Sequence, residues 1–89
     1  SKSFKEVVLV EYPRKNIWVI AFVTSSIKGE IDKSIQKTDL VSIFVPTTPN
    51  PTSGFLLFVS KEDLIYLKMP VEQAVKLVIS GGIVVPKKK

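Results

Sequence analysis

Residues 40–60, LVSIFVPTTPNPTSGFLLFVS, decide the fold of this chain. Two apolar runs, 40–45 and 55–59, flank a loop rich in proline and threonine, and no residue of the stretch is charged. About twenty apolar residues can span a bilayer, but three prolines here each remove a backbone donor and hold the preceding residue extended. Because both flanks are β-branched or aromatic, the stretch predicts a strand, an ordered loop and a second strand.

The loop between these two strands is the first candidate site. One interpretation is a rigid connection, since proline fixes φ at three positions. The other is a recognition surface, because functional residues often lie on loops held by a rigid scaffold. On the second interpretation the candidate binding residues are Thr47, Thr48, Asn50, Thr52 and Gly54. We expect Gly54 to supply backbone freedom where the second strand begins.

The composition narrows the chemistry that this protein can perform. Its 89 residues form one small domain and include neither cysteine nor histidine. Disulfides and thiolate metal sites are therefore excluded, and the commonest general base and metal ligand is missing. We expect a protein that is not an enzyme, with no catalytic residue, no bound metal and no cofactor.

The net charge of +5 raises nucleic acid as a possible partner. Lysines at positions 2, 5 and 87–89 make up five of the thirteen basic residues, and we interpret them as solvated tails. Binding to single strands needs exposed aromatic residues among basic ones, whereas the aromatic residues here lie inside apolar runs and predict core positions. Nucleic acid is thus an unlikely partner, and binding through the lysines would show a steep salt dependence.

The N-terminal half predicts a hairpin followed by a polar segment. Residues 5–12 and 17–24 are short apolar strands around the turn 13–16. Glu11 and Arg14 flank this turn, where they could pair with each other or contact a partner. Residues 25–39 predict a loop or a mobile extension of the hairpin. A short helical turn is the alternative there, because isoleucines recur every four residues.

The C-terminal part predicts the single helix. A tight helical turn at 60–63, resembling a capping box, leads to a strand at 64–69. Pro70 suits the first turn of a helix, and Gly81 with Gly82 is the usual stop signal. Residues 83–85 could add a last short strand. Trp18, the single tryptophan, predicts packing in the core or between elements.

The predicted architecture follows from a mismatch between strands and helices. The strands show continuous apolar runs instead of alternation, so both faces of their sheet require cover, yet one convincing helix is available. Either the sheet curls into a small barrel or sandwich, or the uncovered face meets another subunit or the rest of a longer chain. We expect a mainly β (α+β) fold with one C-terminal helix and a small curled antiparallel sheet, barrel- or sandwich-like, with residual exposed apolar surface.

Three stretches resemble a known family. VVLVEYPRKNIWVIAFVT (7–24), IFVPTTPNPTSGFLLFV (43–59) and VEQAVKLVISGG (71–82) are similar to domain of unknown function 502, which includes the plant continuous-vascular-ring membrane proteins. The PTTPNPTSG loop is the most specific piece, and residues 25–39 match least. The resemblance implies two N-terminal transmembrane helices ahead of a soluble domain, with that domain on the cytoplasmic side. This chain, 1–89, is expected to be the soluble domain excised from such a protein.

The leading functional hypothesis is a membrane-tethered domain that self-associates or docks a protein partner, through the loop 46–54 and the Glu11–Arg14 turn. A homo-oligomer or protein partner, and a membrane reached through the absent N-terminal region, are the expected contacts. The alternative hypothesis is a module that binds a small molecule or lipid headgroup at a barrel mouth lined by Thr47, Thr48 and Asn50.

Overall fold

A computed structural model describes residues 6–86 of the chain. The elements are β1 Glu6–Glu11, β2 Trp18–Ser26, α1 Glu30–Ile35, β3 Leu40–Pro46, β4 Gly54–Ser60, β5 Ile65–Tyr66 and α2 Val71–Ile79, with a 3-10 turn at Lys61–Asp63. The strands form one antiparallel sheet in the order β4-β3-β2-β1-β5. The sheet does not close, and the prediction of a mainly β fold with one helix near the C-terminus is confirmed. The terminal lysines lie outside the described residues.

The predicted hairpin pairs β1 with β2 in a continuous register from Glu6 opposite Val23 to Glu11 opposite Trp18. Its turn closes through the N–H of Tyr12, which donates to the carbonyl of Ile17 at 2.8 Å. Asn16 adopts φ 72°, the left-handed geometry expected of it. The prediction of strand, turn and strand is therefore confirmed.

The segment 25–39 holds the short helix α1, so the helical alternative is correct and the expectation of a loop or hairpin extension is wrong. Gly29 lies just ahead of the helix at φ 141°, where a glycine costs little, and not in its interior. The N–H of Gly29 donates to the Asp32 carboxylate at 2.6 Å, and Gln36 ends the helix in left-handed geometry.

The segment between β4 and α2 is less regular than the sequence predicts. The tight turn forms, but the Ser60 side chain makes no capping hydrogen bond. Of the predicted strand 64–69, only Ile65 and Tyr66 pair with β1, because the chain then turns toward Pro70 and α2.

Helix α2 ends at the two predicted glycines. Gly81 and Gly82 adopt φ 67° and 92°, and their N–H groups donate to the carbonyls of Val78 and Leu77 at 3.1 and 2.9 Å. These bonds form a Schellman cap. The short strand expected at 83–85 is absent, since the N–H of Val84 donates to the hydroxyl of Ser80 at 2.9 Å instead of to a strand.

The concave face of the sheet, opposite α2, carries the larger core. It contains the buried residues Val8, Val10, Ala21, Val23, Val41, Ile43 and Val45, together with Leu64 from the segment that crosses between the edge strands. On the convex face a smaller cluster of Val7, Phe22 and Ala74 joins β1 and β2 to α2. Both faces are thus apolar, as the lack of alternation predicts.

The concave face is buried by the curvature of the sheet and not by a helix. The rings of Tyr12 and Phe55 lie 6.0 Å apart, although β1 and β4 are separated by two strands and would lie about 14 Å apart in a flat sheet. The four residues between Ser60 and Ile65 connect the two edge strands, and this connection spans at most about 17 Å, less than the about 19 Å of a flat sheet. A register shift between Val23 and Ser25 in β2 adds to the bend.

Candidate interaction surface

One end of the sheet brings the two predicted segments together. The β1–β2 turn and the β3–β4 loop both lie there, because consecutive strands run in opposite directions. Tyr12, between Glu11 and the turn, contacts Phe55, the residue after Gly54. Thr48 reaches the C-terminal end of α2, with its methyl group 3.6 Å from the position that a Cβ on Gly81 would occupy.

The β3–β4 loop, residues 47–53, is held by its own polar groups. The Thr47 hydroxyl donates to the carbonyls of Asn50 and Ser53 at 2.8 and 3.1 Å. The Asn50 side-chain oxygen accepts from both the N–H and the hydroxyl of Thr52, at 3.2 and 2.6 Å. Thr47, Asn50 and Thr52 therefore stabilise the loop itself, which supports a rigid connection. A binding role for these residues and for Thr48 stays a prediction.

Gly54 serves the fold by its size and not by backbone freedom. It lies in regular strand geometry, without a positive φ, opposite Pro46. A Cβ on Gly54 would overlap the carbonyl oxygen of Val45 and lie 2.9 Å from two carbons of the Phe44 ring. The expectation of conformational freedom at this position is therefore corrected: close approach of the neighbouring strand requires the glycine.

The residues at the β1–β2 turn make different contacts from those expected. The Glu11 carboxylate accepts from the N–H of Asn16 at 2.9 Å, and Arg14 donates to the carbonyl of Lys15 at 3.2 Å. Glu11 thus caps a backbone donor of the turn instead of pairing with Arg14. Arg14 is exposed, and its role in binding a partner stays a prediction.

An apolar groove lies between α2 and the convex face and has a volume of about 500 Å³. Trp18 borders it and is 46 % exposed, so of the two expected positions the core is excluded, whereas a place between elements, here the sheet and α2, agrees with the structure. The reason is its position: Trp18 begins β2 at the end of the sheet. The groove is lined by Leu9, Trp18, Ile20, Thr48, Leu67, Met69, Leu77, Val78 and Gly82.

A second, more polar cavity of about 330 Å³ opens beside β5, with Glu6, Lys61 and Tyr66 among its lining residues. Burial raises the pKa of the Tyr66 phenol, and the Glu6 carboxylate raises it further. Within residues 6–86, histidine, cysteine and acidic side chains form no cluster of three that could hold a metal ion.

Strand β4 forms an open edge of the sheet, and its sequence GFLLFVS carries no charge. The side chains of Phe55 and Leu56 are 49 % and 62 % exposed. A long, uncharged and apolar edge strand is a template for pairing with another chain. The opposite edge, β5, has two residues and offers a much shorter ladder. Sequence reasoning missed Leu56 and Phe58, because strand order, which places β4 at an edge, is a tertiary property.

The open edge, the rigid loop and the exposed aromatic residues belong to a β-rich domain with exposed apolar surface. A sequence model of the family described as "Protein of unknown function (DUF502)" matches residues 1–53, more than half of the chain, and the chain belongs to this family. The family is generally membrane-associated. Within residues 6–86, neither helix has the length and apolar character needed to cross a bilayer.

The chain is similar to Arabidopsis thaliana proteins named CONTINUOUS VASCULAR RING 1 and LIKE COV. It is 29 % identical to Protein LIKE COV 2 over 84 residues, which cover 94 % of this chain and 31 % of that relative. It is 28 % identical to Protein CONTINUOUS VASCULAR RING 1 over 86 residues, which cover 97 % of this chain and 31 % of that relative. The chain therefore spans about a third of the length of these relatives. No solved structure matches the chain.

Proposed function

We propose that this domain is a non-enzymatic protein-interaction module that associates with further copies of itself. The observation that carries the proposal is the β4 edge. Strand β4 forms this edge with seven uncharged residues. The side chains of Phe55 and Leu56 in it are 49 % and 62 % exposed. Exposed apolar surface on an unpaired edge strand favours association, since pairing satisfies backbone groups and removes apolar area from water at the same time.

The composition and the loop support this proposal over catalysis. The sequence has no histidine or cysteine, so the commonest general base and the thiolate nucleophile are both missing. The loop 47–53 is stiffened by internal hydrogen bonds next to the same edge, so this end of the domain is pre-organised for contact.

The setting of this module is a membrane surface, as part of a longer, membrane-tethered protein with the domain on the cytoplasmic side. Support comes from the membrane association of the family and from the fraction of the relatives that the chain spans. The side of the membrane can be tested in the longer protein with an epitope placed after residue 89. If the domain is cytoplasmic, protease added to sealed vesicles whose cytoplasmic side faces outward should remove the epitope. Vesicles of the opposite orientation should protect it.

Sedimentation velocity of the 89-residue chain across a dilution series tests self-association. We expect the weight-average sedimentation coefficient to rise reversibly with concentration toward that of a dimer. The association should survive at high salt, because apolar burial and backbone pairing are screened little. A monomer at every concentration would contradict self-association and would leave a different protein as the partner for this surface.

A further inference from the structure

The open edge of β4 presents a defined set of backbone groups. On either side of the β3–β4 ladder, the N–H of Thr47 donates to the carbonyl of Ser53, and the N–H of Lys61 donates to the carbonyl of Asp39. Both bonds fit the continuous register that pairs β3 with β4. Hydrogen-bonded and non-hydrogen-bonded pairs alternate in an antiparallel ladder. The odd-numbered residues of β4 therefore bond to β3, and the even-numbered ones, with Leu56 and Phe58 at the centre, face outward.

We infer that two copies of this chain pair symmetrically through β4, antiparallel, with Leu57 opposite Leu57 of the second copy. This inference rests on the proposed function and names its interface. In this register all four outward-facing residues of β4 form hydrogen-bonded pairs. Leu56 pairs with Phe58 of the second copy, and Gly54 pairs with Ser60. The twofold axis makes each pair occur twice. The result is one continuous ten-stranded sheet across a twofold axis.

The occupant is a second copy because the edges of this sheet differ in length. Within residues 6–86 the outermost strands of the sheet are β4, with seven residues, and β5, with two. Pairing β4 with β4 joins edges of equal length and closes as a dimer, whereas pairing β4 with β5 of the next copy would give a two-residue overlap and an open chain of subunits.

The proposed register also keeps charges apart. Its ladder contains no charged residue, since Lys61 falls opposite Ser53 of the second copy and Glu62 falls opposite Thr52. Like charges directly opposite one another would destabilise a sheet. On the convex face, the exposed Leu56 of each copy meets Phe58 of the other, so the most exposed side chain of the strand gains an apolar neighbour.

Cysteine scanning tests the register, because the wild-type chain contains no cysteine. In Leu57→Cys the two Cα atoms would lie about 4.5 Å apart across the axis, within the range of a disulfide. Mild oxidation should convert this variant to a covalent dimer. The matched control is Ser53→Cys in the exposed loop, whose Cα atoms would lie roughly 27 Å apart in the same dimer and which should stay monomeric under the same conditions.

A charge introduced at the β4 edge gives an independent test of the interface. It substitutes an exposed residue, whereas Leu57→Cys changes a partly buried one. Leu56→Lys should raise the dimer dissociation constant about tenfold or more, as expected for a central interface position. Ile83→Lys, which adds the same charge at a side chain that is 85 % exposed and outside the sheet, should leave it unchanged.

The outcomes separate this inference from the proposed function. If the wild-type chain dimerises, but Leu57→Cys does not cross-link or Leu56→Lys and Ile83→Lys behave alike, association uses another surface and the β4 register is wrong. Equal cross-linking of Leu57→Cys and Ser53→Cys would show unspecific collision and also overturn it. A wild-type monomer at every concentration would overturn both the register and self-association.

Discussion

Gly54 is, of the four glycines, the one whose neighbours leave the least room for a side chain. It sits at the first position of β4, and the carbonyl of Val45 and the ring of Phe44 occupy the space where a side chain would begin. Polar residues nearby also stabilise the local backbone. The Glu11 carboxylate accepts from the N–H of Asn16, and the Thr47 hydroxyl donates to the carbonyl of Ser53 across the ends of the loop. At this scale the candidate residues explain how the end of the sheet is built.

Gly54→Ala should lower the free energy of unfolding by about 2 kcal/mol, because overpacking displaces a neighbouring strand. Urea denaturation followed by circular dichroism measures the change. Ser53→Ala, at the exposed neighbouring position, is the matched control and should shift stability by less than about 0.5 kcal/mol. Equal effects of the two substitutions would show that Gly54 is not sterically constrained.

Among the elements, the loop 47–53 and the helix α1 show how local hydrogen bonds decide conformation. In the loop, the Asn50 side-chain oxygen accepts hydrogen bonds from the N–H and the hydroxyl of Thr52. In α1, the Asp32 carboxylate accepts a hydrogen bond from the N–H of Gly29. Short polar side chains of this kind compete well with regular backbone bonding at turns and helix starts.

Asn50→Ala should lower the free energy of unfolding by about 1 kcal/mol, since the N–H and hydroxyl of Thr52 lose their acceptor. Ser53→Ala in the same loop is the control, because the Ser53 side chain is exposed and Ser53 bonds within the loop through its backbone groups, and it should leave stability almost unchanged. Thermal unfolding of both variants measures this, and faster amide hydrogen exchange at 47–53 in Asn50→Ala alone would locate the effect. Identical exchange in the two variants would contradict the role of Asn50.

The whole molecule depends on curvature to bury the concave face. Small β-branched residues from β1, β2 and β3 line that face, and the crossing segment between the edge strands places Leu64 against them at 8 % exposure. The concave face is thus buried mainly by residues of the sheet itself and by Leu64. Exposed apolar side chains remain on β4, at Trp18 and at residues 83–85, and also on α1, on β5 and at the end of α2.

Leu64→Ala should destabilise the domain by about 3 kcal/mol, because it removes a buried side chain that the curved sheet cannot replace by collapsing. Ile65→Ala, one position further and about half exposed, should cost much less. Denaturant titration of both variants provides the comparison. Similar losses would mean that the crossing segment contributes little to the concave core.

The apolar runs were sufficient to predict the hairpin, the strands around the central loop and the C-terminal helix, because each rests on local pattern or on glycine and proline geometry. The prediction for the segment 64–69 was wrong in extent, and the strand expected at 83–85 does not form. Both are apolar enough for a strand, but β5 pairs with only two of the six residues of β1, and at the second segment Ser80 bonds Val84. The sequence also located the loop and the turn that carry the candidate binding residues, but not the contacts that those residues make.

The sequence by itself determined that both faces of the sheet are apolar and that one helix covers too little of them, since uninterrupted apolar strands permit no other arrangement. Only the tertiary structure decided how that surface is buried: the concave face closes on itself by bending, and α2 covers part of the convex face. It also decided that β4, and not another equally apolar strand, lies at the open edge. The physical reason is that strand order and curvature arise from pairing between distant segments, which local residue patterns do not encode.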